Sequence, residues 1–290
     1  MMTWEQIIIQ IRTEPKYAPL VDLAYFEADL PLNIERFRSR EEYRETLNII
    51  RKNAPDARRI LDVGAGNGVA SVAFALDGYE VTALEPDPSL TIGVGAIKSL
   101  KEHYKLSNLK IEESYGESMP FPDASFDVVY VRQAMHHAAD LPRFVKECAR
   151  VLKPGGLLLT VRDHVIYNEK DKDWFLRSHP LHSFYGGENA FTFDQYSDAI
   201  KNAGISISTV LRHYDSVINY FPEDPNQIST RAKEREDLIT TNLGKKLPLI
   251  GKLQPVKSWY RNRLLQSLGP ANDERKIPGR LITFIGRKTA

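Results

Sequence analysis

Two sets of side chains in this 290-residue sequence have types and spacing suited to chemistry. The first is acidic and glycine-rich. Asp62 and Val63 close a short apolar run, Gly64, Gly66 and Gly68 follow at alternate positions around Ala65, and Glu85 closes the next apolar run. A carboxylate in that last position can accept both hydroxyls of a ribose through charge-assisted hydrogen bonds. The alternate glycines keep a turn tight and clear side chains from one edge of it. The second set is rich in histidine. It comprises His136 and His137, the pair Asp163-His164, and a stretch with His179, His182, Tyr185, Glu188 and Asn189. A histidine oriented by a carboxylate is a suitable base for a hydroxyl proton.

Regular elements must position these residues. Arg59 to Val63 reads as a strand, Val69 to Leu76 as a helix and Glu80 to Leu84 as a second strand, which makes a nucleoside-binding βαβ unit. A dinucleotide fingerprint would need glycine where Val69 stands. Asp62 would also repel a phosphate, and it suits an ammonium or sulfonium group better. Further strands are expected at Leu109 to Glu112, Phe126 to Val131, Leu157 to Val161, Ile205 to Leu211 and Arg280 to Gly286. Helices are expected between them, at Leu141 to Leu152 and Phe193 to Ala203. Strands this apolar imply a parallel sheet covered on both faces. The pattern divides the chain into an N-terminal helical cap (1–57), a main domain (58–222 with 277–290) and a basic helical insertion (223–276). Within the cap, Ser39 with Glu42 reads as a capping box opening a helix.

The run Ile60 to Gly68, with Glu85, Phe126-Asp127-Val128-Val129 and Arg150-Val151-Leu152-Lys153-Pro154-Gly155-Gly156, resembles the class I S-adenosylmethionine-dependent methyltransferases. The branch with the ubiquinone and menaquinone methyltransferases is most similar. The resemblance spans about residues 58 to 162 and implies a Rossmann-like α/β fold. Its seven-stranded sheet would be parallel except for an antiparallel last strand. It implies that S-adenosylmethionine lies along Asp62, Gly64, Ala65, Gly66 and Gly68, with its ribose on Glu85 beside Pro86. The family often carries an Asp-Ala pair after the third strand; here Tyr115-Gly116 stands there, so adenine is expected against Gly116 with Tyr115 or Glu117 nearby. Arg132, at the end of strand four, is placed beside the cofactor, free for an anion or paired with Asp163 or Asp127. Glu85-Pro86-Asp87-Pro88-Ser89, the His136-His137 run and the 179–190 stretch also resemble a bacterial subgroup linked to polysaccharide and small-metabolite biosynthesis.

The acceptor is expected at the ends of strands four and five. His136, His137 and His164 are the candidate bases, and His179, His182, Tyr185, Glu188 and Asn189 the candidate acceptor contacts. A metal set from His179, His182, His136 and Glu188 is conceivable, but His-x-x-His spacing alone is weak and no metal is assigned. The formal charge of +1 argues against a dedicated nucleic-acid binder. It conceals an asymmetry: residues 231–290 hold 14 Lys or Arg against 5 Asp or Glu, the remainder 25 against 33. Between 245 and 265 the cations interleave with Leu, Ile, Trp and Tyr, which suits contact with a membrane surface or a lipid-linked substrate. The single cysteine, Cys148, cannot form an internal disulfide, and a cytoplasmic enzyme is expected. The reading is a methyltransferase of a small-molecule acceptor, at a hydroxyl oxygen of a sugar or secondary metabolite. N- or C-methylation, or a non-catalytic S-adenosylmethionine-binding homologue, is the alternative.

Overall fold

The computed structural model describes residues 2–185, 187–246, 258–259, 262–263 and 272–289. Four helices lead the chain: α1 (Trp4–Thr13), α2 (Ala18–Leu23), α3 (Leu30–Ser39) and α4 (Glu41–Asn53). Then come β1 (Arg59–Val63), α5 (Val69–Leu76), β2 (Glu80–Leu84), α6 (Val94–His103), β3 (Leu109–Glu112), β4 (Phe126–Arg132), α7 (Leu141–Val151) and β5 (Leu152–Ile166). The second half carries α8 (Glu169–Ser178), α9 (His182–Tyr185), β6 (Phe191–Thr192), α10 (Phe193–Asn202), β7 (Ile205–Leu211), α11 (Val217–Tyr220), α12 (Pro225–Lys246) and β8 (Arg280–Lys288).

The sheet runs in the order β3-β2-β1-β4-β5-β8-β7, with the two-residue β6 paired to the far end of β5. β1 to β5 are parallel, and β8 runs antiparallel to both β5 and β7. The fold is therefore the expected Rossmann-like one, extended by the short β6. Alternation sorts the strand residues onto two buried faces. Ile60, Val128, Tyr130, Leu157 and Leu159 pack with α3, α4 and α5. Leu61, Val63, Val129, Val131 and Leu158 pack with α7 and α10. The helices match the faces they cover. On α7, Leu141, Phe144, Val145, Cys148 and Val151 are buried, and each large apolar side chain contributes about 1.5–3 kcal/mol.

The leading helices divide in their packing. Ile34 and Phe37 of α3, with Tyr43, Leu47 and Ile50 of α4, enter the main core. Ile7, Ile8 and Ile11 of α1 instead pack with Val21, Ile92 and Leu181, over the carboxyl ends of the strands. The expected capping box at Ser39 does not form. Arg40 caps α4 without a side-chain bond, and Ser39 Oγ donates back to the Arg36 carbonyl. Glu42 is drawn inward to Arg132, as described below. At α10 the cap is Thr192, in a capping box with Gln195.

Two features of β5 and its surroundings aim the site. The strand does not stop at Val161 but continues to Ile166, so Asp163 and His164 belong to it. Its register against β8 slips between Thr160 and Asp163, where Arg162 has φ +61°. Such a bulge re-aims the side chains that follow it. Strand order reverses between β1 and β4, and open α/β sheets bind ligands in the crevice at that point. Most of the basic stretch at 245–265 lies outside the described residues. No helix among the described residues is long and apolar enough to cross a membrane.

Candidate active site

A cavity of about 610 Å³ opens at the carboxyl ends of β1, β2, β4 and β5. Its wall begins with Asp62 near the end of β1, Gly64, Ala65 and Gly66 after it, and Glu85 and Pro86 after β2. The turn needs its glycines. Gly64 has φ +69°, and a Cβ there would stand 2.5 Å from the Ala134 Cβ. Gly66, at φ +55°, turns its N–H onto Glu85 Oε2 at 2.7 Å, while Asp87 N–H donates to Oε1 at 2.9 Å. The Glu85 carboxylate is thus fixed in orientation at the cavity wall. Burial raises its pKa to about 7 against the pull of those two N–H groups. Asp62 is buried, accepts from Ser71 Oγ at 2.5 Å and is raised by burial to about 6. Two acids held partly against ionisation are ready for donors that a ligand brings. This cradle fits S-adenosylmethionine. A Cβ on Gly66 would have only the Ile92 carbonyl oxygen within 4.0 Å, so the turn leaves open space beside a carboxylate suited to a ribose.

The third side of this end is formed by Ser114, Tyr115, Gly116 and Glu117, after β3. Tyr115 is 68% exposed. Glu117 Oε1 accepts from Ala139 N–H at 2.9 Å, which ties this segment to the turn after β4. Gly116 lies against Phe144 of α7, and a Cβ would meet the ring at 2.2 Å. Gly116→Ala is therefore expected to cost about 1–3 kcal/mol in urea denaturation, since the ring has to move. Stability equal to the wild type would show instead that this contact yields freely.

The far end of the same cavity is lined by His136, His137, His164, His179 and Glu188. A 3₁₀ turn, Met135–His137, directly follows β4 and places the first two. His136 is buried, with Asp163 Oδ1 accepting from its backbone N–H and facing its Nδ1, both at 3.1 Å. Its Nε2 stands 3.6 Å from Glu188 Oε2. His137, with 42% of its side chain exposed, has Nε2 4.0 Å from the same oxygen. His179 Nδ1 is 3.7 Å from Glu188 Oε1. His164 sits edge-on to His136, with ring centroids 5.0 Å apart, and its Nδ1 is 2.6 Å from the Gly279 carbonyl oxygen. A carbonyl only accepts, so Nδ1 carries the proton and Nε2 is left with its lone pair.

The electrostatics follow from burial and the two acids. Burial opposes charge on His136, but Asp163 and Glu188 outweigh it and raise its pKa to about 9. Burial lowers His137, His164 and His179, and positive His136 adds to each shift. Burial also opposes ionisation of Glu188, but His136, His137 and His179 together hold it well below the usual carboxylate range. Asp163 is raised, because burial exceeds the help it receives from His136.

Several expected roles are altered. Arg132 borders the cavity, but its partner is Glu42 of α4, not Asp163 or Asp127. Its Nε and one terminal nitrogen donate to the two Glu42 oxygens at 2.6 and 3.2 Å. The guanidinium carbon also lies 5.5 Å from the centroids of Tyr25 and Phe37. Its charge is thus already matched and does not await an anion. Gly68 lies behind the wall, opening α5 against Ile97. His182 and Asn189 are not on the cavity wall, and the Tyr185 side chain lies outside the described residues. Glu42, expected as a helix cap, instead binds Arg132, and Ser71 on Asp62 was not expected; Trp4, Leu20, Ala24 and Phe26 of the expected N-terminal cap line the cavity. The isoleucine spacing of α1 was the available signal for a helix packed at this mouth.

Residues 61–160 match the family described as a methyltransferase domain. Among curated proteins, the methyltransferase YcgJ of Bacillus subtilis, itself uncharacterised, is 32% identical over 154 residues, 52% of this chain and 59% of its own. The phthiotriol/phenolphthiotriol dimycocerosates methyltransferase of Mycobacterium leprae is 32% identical over 139 residues, 46% of this chain and 49% of its own. The chain thus spans about half the length of these relatives. A solved geranyl diphosphate methyltransferase in complex with S-adenosylmethionine superposes with a TM-score of 0.56, covering 91% of this chain and 92% of that one. At 11% identity, that likeness speaks for the fold alone.

Proposed function

We propose that this chain, whose residues 61–160 form a class I S-adenosylmethionine-dependent methyltransferase domain, methylates a hydroxyl oxygen of a small molecule, a sugar or secondary metabolite. One observation carries the reading: a single cavity joins the carboxylate and glycine cradle to the histidine cluster. S-adenosylmethionine, when bound, supplies an electrophilic methyl group on a sulfonium. Glu85 would receive the ribose hydroxyls, and Asp62 with the turn after β1 would hold the amino-acid end. Gly116 and Tyr115 border the adenine. α1 and α2 cover the mouth and keep water from the reacting atoms. The acceptor lies among His136, His137 and His164, with Glu188 and His179 beside it. The methyl group would be supplied to the acceptor oxygen by in-line displacement at the sulfonium, which would keep the electron pair of the broken bond; the chain's own part is to hold the two ends in line and take up the proton. The hydroxyl proton passes to the histidine cluster, where the lone pair of His164 Nε2 is available. The basic stretch at 245–265 is proposed to bring a membrane-borne or lipid-linked acceptor to the mouth.

Transfer of labelled methyl from S-adenosylmethionine to an extracted metabolite pool, followed by mass spectrometry of the product, tests the reading. A labelled O-methyl product is expected. Label on nitrogen or carbon would overturn the choice of oxygen, and tight cofactor binding without any product would favour a non-catalytic binding protein. Alanine at His136, His137 or His164 is expected to lower kcat by about 10²–10⁴-fold in at least one case. Affinity for S-adenosylmethionine should change little. Unchanged kcat in all three variants would leave positioning alone as the catalytic device.

A further inference from the structure

We propose that His136, His137 and Glu188 form a binding site for one divalent first-row transition-metal ion. One ligand atom from each of the first three lies within 4.8 Å of the others. The spacing around Glu188 is informative. His136 Nε2, His137 Nε2 and His179 Nδ1 stand 3.6, 4.0 and 3.7 Å from its oxygens. These are too long for ordinary hydrogen bonds, which run at about 2.7–3.2 Å. They approach the edge of a coordination polyhedron, about 3.4 Å for ligand bonds near 2.0–2.1 Å. His136 Nε2 and His137 Nε2 face the same carboxylate oxygen, Oε2, at separations that one shared ion would bridge.

Two other observations point the same way. The atom His136 turns to that gap is the right one. Its Nδ1 is engaged by buried Asp163, so an ion that displaces the Nε2 proton would find Nε2 as the ligand atom, in the carboxylate–histidine–metal arrangement that fixes both ring orientation and tautomer. His179 Nδ1 is buried, with no hydrogen-bond partner among the described residues, and faces the other Glu188 oxygen, Oε1, where a molecule bound to the ion would meet it. An imidazole nitrogen left so is costly unless something binds it. Two imidazoles with one carboxylate suit Zn²⁺, Fe²⁺ or Mn²⁺, whereas Mg²⁺ and Ca²⁺ call for oxygen ligands.

The ligands line the cavity that also holds the cradle, so open coordination positions would face the acceptor. The acceptor class narrows to molecules with a coordinating oxygen or a pair of them, such as a diol or hydroxy acid. His164 remains as proton acceptor, because its Nδ1 is committed to Gly279. This catalytic role rests on the methyltransferase reading, whereas ion binding does not. The site shares His136 and Glu188 with the set weighed from the sequence, but takes its second imidazole from the adjacent His137 and not from the His179 and His182 spacing.

The test uses full-length, tag-free protein stripped with chelator. Equilibrium dialysis against Zn²⁺, Mn²⁺ or Mg²⁺ is followed by elemental analysis, and Co²⁺ substitution reports coordination by its visible spectrum. One equivalent of Zn²⁺ per chain is expected, with no stoichiometric Mg²⁺ and with Co²⁺ bands of a mixed nitrogen and oxygen site. His137→Ala and Glu188→Gln should each weaken binding at least about tenfold. The surface variant His103→Ala should match the wild type. Calorimetry with S-adenosylmethionine on each variant separates the two claims, since the cradle should bind equally well with or without the metal. Less than a tenth of an equivalent of any transition ion, or equal binding by wild type and both ligand variants, would overturn the metal site and leave the methyltransferase reading standing. Loss of cofactor binding in the unmutated protein would overturn the latter instead.

Discussion

Replacing Glu42 with alanine is expected to destabilise the fold by about 3–5 kcal/mol in urea denaturation. Glu42 is buried on α4, and its oxygens accept two bonds from Arg132, with Arg162 Nε 3.9 Å away. Tyr25 Oη donates to it at 3.4 Å. Without the carboxylate, two guanidiniums would face each other in a low-dielectric space with no acid between them. Breaking a buried pair from one side costs far more than the pair contributes net, because the remaining charge loses its partner. Glu42→Gln keeps the acceptor oxygen and should fall between alanine and wild type. The pH response has a definite sign. Burial opposes ionisation of Glu42, but Arg132 and Arg162 win and lower its pKa. Its stabilisation is present above the ordinary carboxyl range and is lost as pH falls through the lowered value. A cost within about 1 kcal/mol for Glu42→Ala would mean that water reaches these groups.

The second large effect is on the ligand. Glu85→Ala is expected to weaken S-adenosylmethionine about 100-fold or more. Two hydrogen bonds to a charged acceptor are worth about 1.5–3 kcal/mol each, and 1.4 kcal/mol is tenfold in affinity. Glu85 also holds the N–H groups of Gly66 and Asp87, so the loss includes some slackening of the turn. Burial raises the Glu85 pKa to about 7, which makes its contribution dependent on pH. A raised carboxyl favours the folded protein in the neutral form. That stability is full below the unfolded value near 4.5 and is lost as pH rises through about 7. Donors on a bound ribose favour the anion, so affinity should rise about tenfold between pH 6 and pH 8. The amino group of the ligand titrates too, so Glu85→Gln is the reference, and the slope should be absent from it. The same slope in both proteins would place the titration elsewhere.

The cofactor end was legible because its chemistry is local. A strand end, a glycine turn and a second strand end lie within residues 59 to 85, and backbone geometry alone brings Asp62, Gly66 and Glu85 together. The argument against a dinucleotide drew on Val69 and on the acids at both strand ends, all within this stretch. The sheet was legible from the apolar runs for a similar reason: period-two burial on both faces leaves few alternatives. What escaped was nonlocal. Glu42 looks like a helix-opening acid, and nothing nearby shows that Arg132, 90 positions later, takes it inward. The bulge at Arg162 broke the strand pattern, so Asp163 and His164 were expected after β5 and not within it. The histidines were legible by type, but their convergence on Glu188 depends on how the 179–190 stretch folds over the strand ends.

Calorimetric titration of the purified protein with S-adenosylmethionine, alongside NAD, tests the central claim most directly. One site per chain is expected, competed by S-adenosylhomocysteine and lost in Glu85→Ala, with no heat from NAD. Absence of heat with S-adenosylmethionine, or a preference for NAD, would contradict it.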